Sequence, residues 1–382
     1  MPRAERPVTP EACAELLRAC AEGGRTVRVR GGGTKAGVRA PRETDMVLET
    51  GGLEGVVDHV PEDLTVTVRA GTAFAALRDA LASHGQFLPL DPPHVARGAT
   101  VGGVIAANSN GFGRYRYGSV RDLLLGVRAA LPDGTIARAG GRVVKNVAGY
   151  DLNKLFTGSF GTLGVVVEAT FKILPVPPAT RAAAAVFGGA GDAFAAADAL
   201  VRTSLRPTAV VVERTAGGAW RLVIAAAGEA APVERAMAEL RRIAADRGGT
   251  AEPVSDAELD PLREIVDRAT GGAVLRASLP LGAQVAFAES VVRADPETHL
   301  VADAASGIVH LHLPDRARLG ATADALLAGA RLLGGSARIE RIASGDLDPA
   351  AGPEPGGAFL MRRLKSAFDP QGILEPARSV FG

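Results

Sequence analysis

The chain has 382 residues, 47% apolar and 22% charged, the balance of a globular protein with enough core for two domains. Its net charge is +1 with no basic or acidic block, which excludes nucleic acid as the main partner, because phosphate binding needs a concentrated basic surface. No apolar run reaches the length of a membrane span, and the start MPRAERPVTPEACAELL lacks the apolar core of a secretion signal. The expectation is a cytoplasmic chain without direct membrane insertion, peripheral to a membrane only through partners.

Thr9-Pro10-Glu11 opens a helix, with Thr9 as N-cap and Pro10 in its first turn, and Gly23 closes it. Cys13 and Cys20 fall on one face of that helix, about 10 Å apart, too far for a disulfide and readable as small buried hydrophobes. Two cysteines build neither a zinc nor an iron–sulfur ligand set, so no metal is expected. TVRVR (26–30), DMVLET (45–50) and TVTVRAG (65–71) alternate as strands. Thr72 is placed as the cap of a helix through Leu77 and Leu81 that stops near Gly85. Residues 123–141 are two strands around a Pro-Asp-Gly turn, and 163–173 form a long apolar strand. LPVPPAT (174–180) is a Pro-rich break. Beyond it lie helices near 191–203, 232–247 and 316–334, and strands at 209–215, 220–228, 273–280 and 307–314. This recurrence suits an antiparallel sheet with helices on one face, so the fold class is α+β. Residues 343–357 read as a linker.

Three segments carry chemistry. RGGGTKAG follows a strand, and consecutive glycines let backbone amides approach an anion. No Gly-Lys-Ser/Thr follows, so it is no Walker loop, and Lys35 and Val38 break the GxGxxG spacing. Taken alone, a Gly-rich turn between strands is the plainer reading. In PLDPPHVARGATVGGVIAANSNGFG, Thr100 precedes a short helix whose first amides could face a diphosphate, and the polar run Asn108–Gly113 is a ligand-surrounding type of loop. A tight small-residue contact explains Gly102-Gly103 equally well. In the third, GSFGTLG (158–164) lets backbone lie against a flat ligand before a buried strand.

With these pieces in order, the chain resembles the vanillyl-alcohol oxidase/p-cresol methylhydroxylase (PCMH) type of FAD-binding protein, and within it the E-subunit branch of the glycolate oxidases. The residues are RGGGTK, PLDPP, ATVGGVIAAN, GFGRYRYGSVRDLLLG, KNVAGYDLNKLFTGSFGTLGVVVEATFKILP and FLMRRLKSAFDPQGIL. The resemblance implies a two-part PCMH-type FAD-binding domain over 1–178, an antiparallel-sheet cap domain over 179–342, and a linker and C-terminal segment over 343–382 that returns to the FAD domain. It implies FAD as cofactor. Gly31, Gly32, Gly33, Thr34 and Lys35 would cradle the diphosphate, and Pro89 and Asp91 would lie beside the flavin. Thr100, Gly102 and Gly103 would contact the diphosphate and flavin edge, with Asn108 in the adjoining loop. Gly161, Thr162, Gly164, Val165 and Val166 would meet the adenosine end through backbone groups. No His or Cys stands beside Gly31–Gly33, so attachment is expected to be non-covalent. Relatives commonly finish Asn-Pro-Gly-Arg, where this chain has Glu375-Pro376-Ala377-Arg378, which puts the role of that turn in doubt.

The implied activity is FAD-dependent oxidation of a small 2-hydroxy acid within a complex that contains a catalytic FAD subunit and an iron–sulfur subunit. A stand-alone dehydrogenase of another small hydroxy acid or alcohol, or a structural docking subunit, stays open. Catalytic residues are unknown from sequence. His310 and His312 share one strand face and could serve as base or ligand, but a half-exposed sheet face accounts for them equally. Arg276 could bind a carboxylate, though among 38 arginines a solvated role is the plainer reading.

Overall fold

A computed structural model describes residues 2–35, 43–141, 151–215, 217–265, 271–314, 317–342, 347 and 356–374. Lys145–Tyr150, most of the 343–357 linker and Glu375–Arg378 lie outside the described residues. The chain divides into two compact units: Met1–Gly111 with Gly118–Val176 and Pro353–Gly382, and Phe112–Tyr117 with Pro177–Gly352.

The first unit begins with β1 (Arg3–Glu5) and the helix Pro10–Glu22. Thr9 caps that helix, its hydroxyl accepting from Ala12 N at 3.1 Å, as the Thr-Pro pair predicts. Strands β2 (Val27–Arg30) and β3 (Met46–Glu49) pair in parallel, with β1 on the other side of β3. A five-stranded antiparallel sheet follows from β4 (Val56–Val60), β5 (Thr65–Arg69), β7 (Leu124–Ala130), β8 (Ile136–Gly140) and β9 (Val165–Lys172), in the order β4-β5-β9-β7-β8. The short pair β6 (Gln86–Phe87) and β10 (Leu174–Pro175) completes the unit's strands among the described residues.

Strand β9 buries Val165, Val166, Val167, Ala169 and Phe171, and keeps Glu168, Thr170 and Lys172 half-buried. Val165 and Val167 enter a core with Cys13, Leu17, Cys20 and Leu48, while Val166, Ala169 and Phe171 enter another with Phe74, Leu77 and Ile105. Thr72 does not cap the next helix. That helix runs Phe74–Ala82 without a side-chain cap, and the Thr72 hydroxyl instead accepts from Gly55 N at 2.9 Å. Buried and tied across to another loop, Thr72 fixes the chain entering the helix rather than its first turn.

The second unit is one eight-stranded antiparallel sheet. Its strands are β11 (Ala179–Phe187), β12 (Ala209–Arg214), β13 (Trp220–Gly228), β14 (Thr250–Val254), β15 (Ala273–Ser278), β16 (His299–Asp303), β17 (Ile308–Leu313) and β18 (Ser336–Ile342), ordered β14-β11-β13-β12-β16-β17-β15-β18. Helices Ala190–Val201, Ala230–Ala245, Gln284–Ala294 and Leu319–Leu332 contribute to a single large core on one face. The other face is partly covered by Phe112, Leu259, Leu262 and Ile265. Four strands, β11, β14, β16 and β18, and the helix Gln284–Ala294 go beyond the sequence reading. β11 reads ATRAAAAVF, and alanine is the strongest helix former. Its alanines alternate between the two cores, Ala183 and Ala185 to one and Ala182 and Ala184 to the other, so small size at a doubly packed strand outweighs propensity.

Among the described residues no helix is long and apolar enough to cross a membrane. Both cysteines are free and fully buried, and burial pushes the Cys13 thiol up to about 12. Neither thiol should react with a disulfide reagent at pH 8 in the native protein, and both should react on unfolding. Rapid native labelling of either cysteine would contradict this packing.

Candidate functional site: a glycine turn and two loops

β2 leads into Gly31–Gly33, with Gly33 at φ +71. A Cβ on Gly32 would fall on the Gly98 carbonyl, and one on Gly31 would strike the Thr100 hydroxyl. The turn therefore lies backbone-to-backbone on residues 98–100, a packing that only glycine permits. Among the described residues, none of the backbone N–H groups from Gly31 to Thr34 meets an acceptor. The turn is part-exposed, and Lys35 Nζ lies 3.4 Å from the Thr34 hydroxyl. A row of unspent donors in a glycine turn fits the oxygens of a diphosphate.

The second segment behaves differently from expectation. Thr100 does cap the helix Val101–Ala107, accepting from Gly103 N at 3.3 Å. But Val101 N donates to Thr72 O at 3.0 Å and Gly102 N to Ala70 O at 2.6 Å. The first amides of this helix are thus consumed within the protein, which corrects the expectation that they face a diphosphate. Gly102 is buried against Ala70, where its missing side chain permits the close approach. Gly103 has only the Thr100 hydroxyl near its Cβ position, at 3.0 Å, and stays half-exposed. Pro89 is buried, and Asp91 backs the polar loop, since a Cβ on Gly111 would run into its main-chain and carboxylate oxygens. Asn108 ends the helix in the left-handed region at φ +47, where its own carbonyl and side-chain oxygens accept from Asn110 Nδ2.

The third segment packs onto the other two. Gly158 (φ +83), Phe160 (φ +54) and Gly161 (φ +75) are all left-handed. Gly158 N donates to Ile105 O at 3.0 Å and Phe160 N to Ala106 O at 2.8 Å, so the loop is bound to the end of the helix above. A Cβ on Gly161 would sit 3.2 Å from Val29 Cβ, and one on Gly158 3.5 Å from Asn108 Cβ. Thr162 is buried, its hydroxyl donating to Ser159 O at 2.7 Å. Gly164 lets the backbone pass against Ala130 O. Val165 and Val166 point into the two cores and pair with Ala130 and Ala129, which leaves only backbone for any ligand.

Two residues gain weight from the structure. Lys365 reaches Thr162 O and Leu374 O, each at 2.9 Å, and pairs with the buried carboxylate of Asp369. A lysine in FLMRRLKSAFDPQGIL shows in sequence only its i,i+4 pair with Asp369. Arg276, in the second unit, is half-buried on β15 opposite His310 on β17 and Arg338 on β18. Its hydrogen bond is to the Ser278 hydroxyl at 3.3 Å, and among the described residues no carboxylate pairs with it. Burial, then the charge of Arg338 and of Arg114, pulls its guanidinium down to about 10. Glu340 lies 3.2 Å from His310 Nε2; burial alone would raise its carboxyl, but His310, Arg338 and Arg276 bring it to about 2. Three guanidinium groups thus face two carboxylates, Glu340 and Asp303. The histidines are spread over separate partners: His299 with Glu213, His310 with Glu340, and His312 with Gly271 O. Among the described residues no three His, Cys, Asp or Glu side chains gather as for a metal.

A glycine turn of unspent amides, braced by a capped helix and a left-handed loop in an α+β unit, defines a dinucleotide-binding domain. Residues 3–140 match the FAD binding domain family. It is 43% identical over 152 residues to glycolate oxidase subunit GlcE of Escherichia coli, covering 40% of this chain and 43% of that protein. It is 36% identical over 182 residues to glycolate oxidase subunit GlcD of Bacillus subtilis, covering 47% of this chain and 38% of that protein. The matching stretches thus span less than half the length of these relatives. In fold it is similar to alkyldihydroxyacetonephosphate synthase, with TM-score 0.74 at 16% identity over 97% of this chain and 75% of that one. That likeness supports the α+β fold with its antiparallel-sheet second unit.

Gly32→Ala should destabilise the first unit by about 1–3 kcal/mol, because even a methyl group displaces the Gly98 backbone. Chemical denaturation of the apoprotein measures it. A variant as stable as the parent would mean that the turn does not lie on residues 98–100.

Proposed function

We propose that the chain is an FAD-dependent oxidoreductase subunit of a glycolate oxidase-type complex, acting on a small 2-hydroxy acid. The observation that carries the reading is the Gly31–Thr34 turn with its unspent amides, in a chain 43% identical to a glycolate oxidase subunit over the matching stretch. In this reading the Gly31–Thr34 amides donate to the diphosphate, and Lys35 adds positive charge there. Gly103 and Asn108 line the same cradle, with Thr100, Gly102, Pro89 and Asp91 shaping its floor. Gly161 to Val166 present backbone to the adenosine end. FAD supplies the two-electron acceptance that alcohol oxidation requires.

In the second unit, Arg276 holds the substrate carboxylate, with Arg338 and Arg114 adding to the positive potential. Three guanidinium groups against two carboxylates leave an excess of positive charge around the half-buried Arg276, and an anionic substrate relieves its cost. In the same reading His310, opposite Arg276 and paired with Glu340, takes the hydroxyl proton. In this reading electrons pass from the chain to an iron–sulfur partner in a complex with a second flavin subunit, a reading supported by the relatives named as glycolate oxidase subunits.

The native chain should carry one FAD that acid precipitation releases, and dye reduction by glycolate should rise from near zero when the partner subunits are added. Absence of flavin absorbance after reconstitution with excess FAD would sink the proposal. In the assembled enzyme, Arg276→Met should raise KM for the hydroxy acid by about ten- to a hundredfold, the loss of a charged hydrogen bond. An unchanged KM would remove Arg276 from the substrate site.

A further inference from the structure

We infer that Lys365 is the positioning residue of the cofactor cradle: from the C-terminal segment it clamps the 158–162 loop to β2. The inference rests on the proposed assignment of that loop to FAD.

The loop needs an external hold. Three of its five residues are left-handed, and Phe160 is not glycine, a conformation that costs about 1–2 kcal/mol for an L-residue. Such backbone persists only where its surroundings over-determine it. One side is held by the helix end, through Ile105 O and Ala106 O. The other is held by Lys365, whose ammonium donates to Thr162 O. Lys365 Nζ is mostly enclosed, and its remaining donors go to Leu374 O and Asp369.

Asp369 is the fixed point. It is 2% exposed, and its two oxygens accept from Ile373 N at 3.0 Å and Leu374 N at 2.9 Å. Those residues join β2: Val27 N donates to Ile373 O at 2.7 Å, and Val27 bridges Leu374 in parallel. One ammonium therefore ties the strand that ends in Gly31–Gly33 to the loop whose Gly161 rests against Val29. Losing it frees the loop on one side and lets the helix-side bonds of Gly158 N and Phe160 N open more often, while the helix itself keeps its own ladder. A neutral side chain of equal length cannot substitute, because three acceptors converge on the head group. Arginine retains charge and donors and should restore part of the clamp.

The test uses the full chain as wild type, Lys365→Met and Lys365→Arg. Hydrogen exchange on the apoproteins should show the 158–163 amides exchanging at least tenfold faster in Lys365→Met, with the 101–107 helix unchanged and partial recovery in Lys365→Arg. FAD titration, well below each variant's melting temperature, should show Kd raised about tenfold or more in Lys365→Met, with an altered visible circular dichroism of the bound flavin. Unchanged exchange at 158–163 would overturn the clamp whether or not FAD binds. Faster exchange with native Kd and dichroism would overturn the cradle role, leaving Lys365 a merely structural tie. Wild type that binds no FAD would fail the proposed function instead, and the exchange data would still decide the clamp.

Discussion

The first unit depends on a side chain that is not there. Gly32 lies on the Gly98 carbonyl so closely that no Cβ fits, and Gly31 does the same against Thr100. That contact brings the end of β2 to the start of the Val101–Ala107 helix. It leaves the intervening amides unpaired because the chain has turned away from β3 before any new ladder begins. The helix spends its own first N–H groups on Ala70 and Thr72, so the donors left without acceptors lie in the turn rather than at the helix end. Two glycine-rich segments adjacent in space divide the labour: one packs, the other presents donors.

Much of this was legible in sequence. RGGGTK after an alternating strand marks the turn, and Thr9-Pro10 marks the first helix, because both signals are local. The Thr100 helix misled because the same local signal, a capped N-terminus, says nothing about whether distant carbonyls such as Ala70 O already occupy the amides. In the second unit β11 was hidden by composition: an alanine run reads as helix until both faces are seen to be covered. Arg276 was discounted in a chain rich in arginine, and only its cross-strand neighbours on β17 and β18 separate it from a solvated side chain. Lys365 shows in sequence only its i,i+4 pair with Asp369, since its other acceptors lie at residues 162 and 374.

The two faces of the eight-stranded sheet show how one layer serves two purposes. The helix side is largely apolar, Leu275, Leu300, Val309 and Leu311 among its lining. The opposite side is greasy toward β11 and β13, where Phe112 and Leu262 cover it, and turns ionic toward β15, β17 and β18. Half-buried charge there is partly offset by the carboxylates of Glu340 and Asp303.

The bridge between Val27 and Leu374 makes the first unit discontinuous, interrupted by the whole second unit. On a ribosome, β2 emerges early and must wait for some 350 residues of synthesis, about 20–70 s at ordinary elongation rates, before its partner segment exists. Through that interval the edge of β2 is an unpaired strand beside an unfilled patch of core, the kind of template on which nascent chains associate. The second unit, apart from Phe112–Tyr117, is contiguous and can fold while the first is still incomplete. Assembly order is thereby written into the topology: the first unit closes last, when Ile373 and Leu374, beyond the C-terminal helix, arrive to fill the edge of β2.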